Sequence, residues 1–235
     1  MEFNNFFFGN NYKWSLAFYK LCAFNWVVHN TEYRYYSYLD ADVYCQRSFA
    51  NIWEECDEHI MMLDISHGLS DNNYQAMLYD YELLVGKRKL ITHFGGEFFA
   101  SNRDNALLFL TKENAVFDAM VEKNIRTSAG DEFILSCVAD ELGGYIKNAS
   151  AYVARLWTGI YRIITTAYKY EDMVILHCPA EKNNGIIKLF DNYIGKGKVP
   201  STAKAHHILH LNKRSLRCRI TMLRVAIRSG KIPIR

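Results

Sequence analysis

The chain has few of the features that mark several common classes. Its six cysteines (Cys22, Cys45, Cys56, Cys137, Cys178 and Cys218) form no Cys-x-x-Cys pair, so a zinc site is not expected. Their scatter suits buried thiols in a reducing compartment better than a disulfide framework. No apolar run approaches the length of a membrane span. Residues 1–9 carry an acid, Glu2, and no basic stretch, so no signal peptide is expected. The formal net charge of +3 is too small to argue nucleic-acid binding for the whole chain. There is no internal repeat and no low-complexity tract. Asn148-Ala149-Ser150 matches a glycosylation sequon, which matters only in a secreted protein.

What is present describes a globular protein. The 235 residues, half of them hydrophobic, suffice for one substantial core, or one domain with a small appendage. Tyrosine and phenylalanine are plentiful, which suits a site lined with rings. The basic excess is uneven and gathers after Lys196.

Tyr12–His29 is helical in pattern, with Leu16, Tyr19, Ala23, Trp26 and Val27 near one face. Tyr35–Tyr44 follows, a strand pattern that stops on two acids, Asp40 and Asp42. Further strands are expected at Ile60–Ile65 and Met173–His177, with an apolar stretch at Leu90–Phe99. Helices are expected at Tyr74–Leu84 (ended by Gly86), Asn105–Lys123 (capped from Ser101–Asp104), Glu132–Leu142 and Gly185–Tyr193. Gly195–Thr202 reads as a linker, and Lys204–Arg228 as a basic helix. Tyr145–Trp157 and Tyr161–Ala167 show no clear period. Strands alternating with helices argue an α/β fold.

Asp disfavours the pleated backbone that Val, Tyr and Leu favour, so Asp40 and Asp42 belong where the strand leaves the sheet. Ligands bind at that edge in open α/β sheets. Two carboxylates one residue apart can converge on a hard cation, or simply form a turn.

Four features occur in order: Leu39-Asp40-Ala41-Asp42, His93-Phe94-Gly95-Gly96-Glu97-Phe98-Phe99, Gly130-Asp131-Glu132 and Leu176-His177-Cys178-Pro179. Their order resembles the GT-A glycosyltransferases, especially the retaining blood-group-type and glycogenin-like families, over roughly Lys13 to Tyr193. The resemblance implies a GT-A-like (Rossmann-like) mixed sheet flanked by helices. It implies that Asp40 and Asp42 bind Mn2+ or Mg2+, with His177 in the place of the late metal-ligating histidine. His93, Gly95, Gly96 and Glu97 look like the segment near donor sugar and acceptor. Paired glycines let a backbone approach a ligand, or form a tight bulge. Asp131 and Glu132 look like the acidic pair under the anomeric carbon, where a carboxylate stabilises an oxocarbenium-like transition state, attacks as nucleophile, or binds hydroxyls. Both acids also suit a helix N-terminus. Lys182 would meet a leaving diphosphate, or lie in solvent. Only 39 residues precede Asp40; the chain either lacks the first part of the nucleotide-binding half or builds it otherwise.

The expected organisation is a catalytic domain over 1–195 and a basic helical segment over 196–235. Lys213, Arg214, Arg217, Arg219, Arg224 and Arg228 alternate with Leu211, Leu216, Ile220, Leu223 and Ile227. Such a helix lies on an anionic membrane or packs on its own domain. It carries no interleaved aromatics, so no nucleic-acid role is expected. The expected activity is retaining hexosyl transfer from a nucleotide sugar, in first place a UDP-sugar, to a glycan or lipid-linked acceptor. The expected location is the cytoplasm, with peripheral contact at the inner membrane face. The rivals are a truncated, inactive transferase-like binding protein and a metal-dependent phosphohydrolase or nucleotidyltransferase.

Overall fold

The computed structural model describes residues 16–158 and 167–211, and the single positions 220, 223, 224 and 227. The expectations for residues 1–15, for 161–166 and for most of the basic segment after Leu211 fall outside the described residues.

In chain order the elements are α1 (Tyr19–Asn30), β1 (Tyr35–Leu39), β2 (Val43–Cys45), α2 (Ile52–Glu55), β3 (Ile60–Asp64), α3 (Asn72–Val85), β4 (Phe94–Asn102), α4 (Arg103–Glu122), α5 (Asp131–Leu142), β5 (Ile146–Asn148), β6 (Val153–Arg155), β7 (Ile175–His177), α6 (Gly185–Lys196) and α7 (Thr202–Ile208). They gather into two compact units. The first comprises Met1–Leu39 and Phe49–Ala151, the second Asp40–Ser48 and Tyr152–Arg235.

The first unit holds a mixed sheet ordered β1-β4-β3-β5. β4 pairs antiparallel with β1 and β3, and β5 runs parallel to β3. β4 is an inner strand and is buried on both faces, Glu97 and Ser101 included. Phe99 is the hub of a ring cluster, with centroids 4.9 Å from Phe24 on α1 and 4.9 Å from Phe109 on α4. Tyr38 stacks on the same ring at 5.5 Å. Local chemistry sets the helix ends. The Asn102 side chain accepts from Asn105 N at 2.8 Å and opens α4. Asp71 does the same for α3 through Tyr74 N at 2.9 Å, and Gly86, at φ 75°, closes it.

One helix face differs from its sequence pattern. α1 turns Leu21, Cys22, Phe24 and Val28 inward, while Leu16, Tyr19, Trp26 and Val27 are exposed. The helix is apolar nearly all round, so the partner surface chose the face and periodicity did not.

The second unit holds the sheet β2-β7-β6, with β2 antiparallel and β6 parallel to β7. Ala154, Leu156, Leu176, Cys178, Leu189, Ala205, Leu209 and Leu211 form its core. The basic helix expected to run unbroken from Lys204 is instead interrupted. α7 ends at Ile208, His210 takes a positive φ of 57°, and the chain turns so that Leu209 and Leu211 are both buried. Burying Leu209 and Leu211 while His210 between them stays exposed is an alternation that the helical path does not give.

Candidate functional site

Asp40 and Asp42 occupy the loop that follows β1 and leads into β2. The β2–β7 register pairs Val43 with His177. Asp42 thereby sits beside the histidine, and Cys178 N donates to Asp42 O at 3.0 Å. His177 Nε2 lies 3.2 Å from Asp42 Oδ1 and 3.9 Å from Asp40 Oδ2. Asp42 and His177 are buried and Asp40 is half-buried. The three ligand atoms all lie within 4.8 Å of one another. A hard octahedral ion with ligands at about 2.1 Å needs neighbouring ligands about 3.0 Å apart and opposite ones about 4.2 Å apart. The His177 separations of 3.2 and 3.9 Å fall between those two values. Two carboxylates and one imidazole would leave positions open for other oxygen ligands. Among the described residues this is the only group of three or more such side chains.

The segment after His177 is fixed by a residue that sequence reading passed over. Glu181 is buried; it accepts from Thr158 Oγ1 at 2.7 Å and from Gly185 N at 3.1 Å, and His210 Nδ1 lies 3.0 Å away. A Cβ at Gly185 would meet Glu181 Oε2 at 2.7 Å. Glycine there lets the carboxylate close against the start of α6. Lys182, the expected diphosphate contact, is exposed on this anchored turn.

The remaining expected residues lie in the first unit. His93, Gly95, Gly96 and Glu97 lie at and just before the start of β4 and are all buried. Between the pairs Met62–Phe99 and Asp64–Phe94, β3 advances two residues while β4 advances five. The paired glycines fall in this bulged stretch, where an extra backbone length is accommodated. Asp131 and Glu132 open α5, preceded by Gly130 at φ 63°. His93 Nε2 lies 3.1 Å from Glu132 Oε2. α5 is also tied to β4 by Ser136, whose Oγ accepts from Phe94 N at 2.9 Å and donates to Glu132 O at 2.6 Å.

Asp131 meets a lysine that the sequence reading did not single out. Lys20 Nζ, on α1, lies 2.9 Å from Asp131 Oδ2 and donates to Gly96 O at 2.6 Å. One ammonium thus joins the glycine segment to the acidic helix start. A Cβ on Gly96 would overlap Asp131 Oδ2 and approach Lys20 Nζ to 2.6 Å. A lone lysine early in a mostly apolar helix is the signal that could have found it. Glu113, in the middle of α4, was also passed over. It is fully buried, and neither carboxyl oxygen has a hydrogen-bond partner among the described residues. Burial, with a smaller contribution from nearby Asp131, pushes its pKa up to about 8.

No family model and no curated protein sequence matches the chain. Solved structures do. An active-site mutant of LgtC aligns over 87% of this chain and 77% of its own, with TM-score 0.53 and 13% identity. The galactosyltransferase LgtC in complex with donor and acceptor sugar analogs aligns over 94% of this chain and 77% of its own, with TM-score 0.50 and 12% identity. The fold is therefore that of the GT-A glycosyltransferases, a mixed α/β arrangement of sheets flanked by helices.

Proposed function

We propose that the chain is a metal-dependent glycosyltransferase, moving a hexose from a nucleotide sugar to a glycan or lipid-linked acceptor. The observation that carries this reading is the convergence of Asp40, Asp42 and His177, in a GT-A fold, at separations that suit one divalent ion. A bound Mn2+ or Mg2+ would neutralise charge growing on the leaving diphosphate. Asp131 and Glu132 serve the reacting sugar. Lys20 orients Asp131, and His93 orients Glu132. The buried Gly95–Gly96 backbone admits the sugar closely, Glu97 shapes the same strand, and Lys182 meets the diphosphate. The donor is in first place a UDP-sugar and the anomeric configuration is retained; the likeness to LgtC, whose complex holds donor and acceptor sugar analogs, supports a sugar donor and a sugar acceptor. The protein acts in the cytoplasm, at the inner membrane face through its basic C-terminal segment, and needs no nucleic acid. Residues 1–195 carry the catalysis and 196–235 the attachment.

Titration calorimetry of the full chain with Mn2+ and a panel of nucleotide sugars tests this reading. Binding of one donor, dependent on the metal, is the expected result. If no donor binds while circular dichroism shows an intact fold, the chain is a transferase-like binding protein instead. Phosphate release from simple nucleotides without any acceptor would make it a phosphohydrolase.

A further inference from the structure

β6 and β7 run parallel, with Arg155 beside His177. Both leave their sheet at the end that carries His177, and the antiparallel β2 brings Asp42 to the same end. The carboxyl ends of parallel strands are where α/β sheets bind ligands. Two loops start there, one running to Thr158 and the other through Cys178 to Glu181. Leu156 N donates to His177 O at 2.8 Å and Cys178 N to Asp42 O at 3.0 Å. Further on, the Glu181 carboxylate joins the two loops again. Its side chain is 3% exposed, and both oxygens are used. Oε1 accepts from Thr158 Oγ1 at 2.7 Å and has His210 Nδ1 at 3.0 Å. Oε2 accepts from Gly185 N at 3.1 Å and from Asn184 Nδ2 at 3.4 Å. One carboxylate thus pins the loop after β6, the loop after β7, the start of α6 and the turn after α7.

We infer that Glu181 is a positioning residue for the cation and the diphosphate. It lies outside the ligand group itself and acts through the chain. Glu181 N donates to Cys178 O at 2.9 Å, and the same Cys178 holds Asp42 through its own N–H. The next residue after Glu181 is Lys182, which meets the diphosphate. Only four residues separate His177 from Lys182, so slack in this turn displaces both from Asp42. An apolar side chain of the same volume would fill the space without the cost of burying a charge. What the carboxylate adds is direction, since each donor must meet it along a hydrogen bond. The inference rests on the reading of Asp40, Asp42 and His177 as cation ligands.

Calorimetric titration of the full chain tests it, with Mn2+ alone and with uridine diphosphate in the presence of Mn2+. All titrations are made at a temperature where circular dichroism shows every variant folded. Glu181→Gln keeps the volume but turns an amide N–H2 towards groups that donate. It should weaken both affinities by about tenfold or more, as replacing a group behind a metal ligand does. Thr158→Val removes one donor, keeps the shape, and should act in the same direction but less. Leu189→Ala, in the core face of α6, is the control for a merely structural role. It should lower the melting temperature at least as far as Glu181→Gln does, yet leave both affinities within about twofold of the parent. Parent-like affinities in Glu181→Gln would make Glu181 a structural brace and overturn the inference, with the cation site intact. So would an equal loss in Leu189→Ala, which would mean that any loosening of the second unit weakens the site. A parent that binds no Mn2+ would overturn the cation reading and this inference together.

Discussion

The two acidic groups of this protein handle charge in opposite ways. In the second unit, Asp40 and Asp42 share one imidazole, His177, at 3.9 and 3.2 Å. In the first, each acid has its own basic neighbour from another segment: Lys20 for Asp131 and His93 for Glu132. Two carboxylates and one imidazole together make a donor set that suits a divalent cation. Lys20 balances Asp131 from within the protein. The Asp40–Asp42–His177 arrangement offers a ligand set for an ion, whereas Asp131 and Glu132 each meet a base that the protein supplies. The same residue type thus signals different chemistry according to what converges on it.

Removing a metal ligand gives the sharpest separation of the two. Asp42→Ala should lower metal-dependent turnover by about a thousandfold or more. The melting temperature should move by only about 2–4 °C, the shift that about 1 kcal/mol produces in a chain of this size. Mn2+ should raise the melting temperature of the parent, by linkage, and leave that of the variant unmoved. Turnover that survives the substitution would mean the site is misassigned.

Lys20→Met attacks the other arrangement and should show the converse pattern. It removes the ammonium joining Asp131 to Gly96, next to a carboxylate whose side chain is 8% exposed. Loss of one partner of a largely buried pair costs about 3 kcal/mol, less where solvent reaches the lysine. A fall in melting temperature of about 5–10 °C is expected, with Mn2+ still raising it. If Mn2+ no longer does so, the two groups are not separate in function.

Gly96→Ala probes the same junction from the backbone side. The added methyl overlaps Asp131 Oδ2 and crowds Lys20 Nζ, so about 2 kcal/mol of destabilisation is expected from overpacking. Combined with Lys20→Met, the cost should fall below the sum, because the shorter cation-free side chain yields. Strict additivity in chemical denaturation would show that the glycine and lysine do not meet.

Much of this was legible in the sequence, and the misses have physical reasons. Strand β1 ending at Asp40, the Asn102 cap of α4 and the Gly86 stop of α3 were readable because local chemistry sets them. The three-residue strands β2, β5 and β6 carried no period long enough to detect. The inward face of α1 depended on which surface it met, since apolar residues surround it. Lys20 acts through partners 76 and 111 positions away, and Glu181 meets Thr158 and His210 at 23 and 29 positions besides its local contact with Gly185; no local spacing encodes the distant pairs. The break at His210 was hidden because its cause, the burial of Leu209 and Leu211, is tertiary.

Glu113 completes the comparison as an acid with neither a cation site nor a base of its own among the described residues. Burial raises its pKa to about 8, while an unfolded chain gives about 4.3. Between those values the folded protein keeps a proton that the unfolded chain has released. The contribution of Glu113 to stability is therefore greatest below about pH 4.3, declines as pH rises towards 8, and levels off above it. Glu113→Gln removes the titration and keeps the shape. Near pH 4 the two proteins should differ by under about 1 kcal/mol, since both hold a neutral group in the same place. By pH 8 the variant should be the more stable, by about 2 kcal/mol after allowing for local relaxation around the charge. Urea denaturation from pH 5 to 8 checks this. A gap that stays constant with pH would mean that Glu113 is hydrated or paired when the protein is folded, as Asp131 is paired with Lys20.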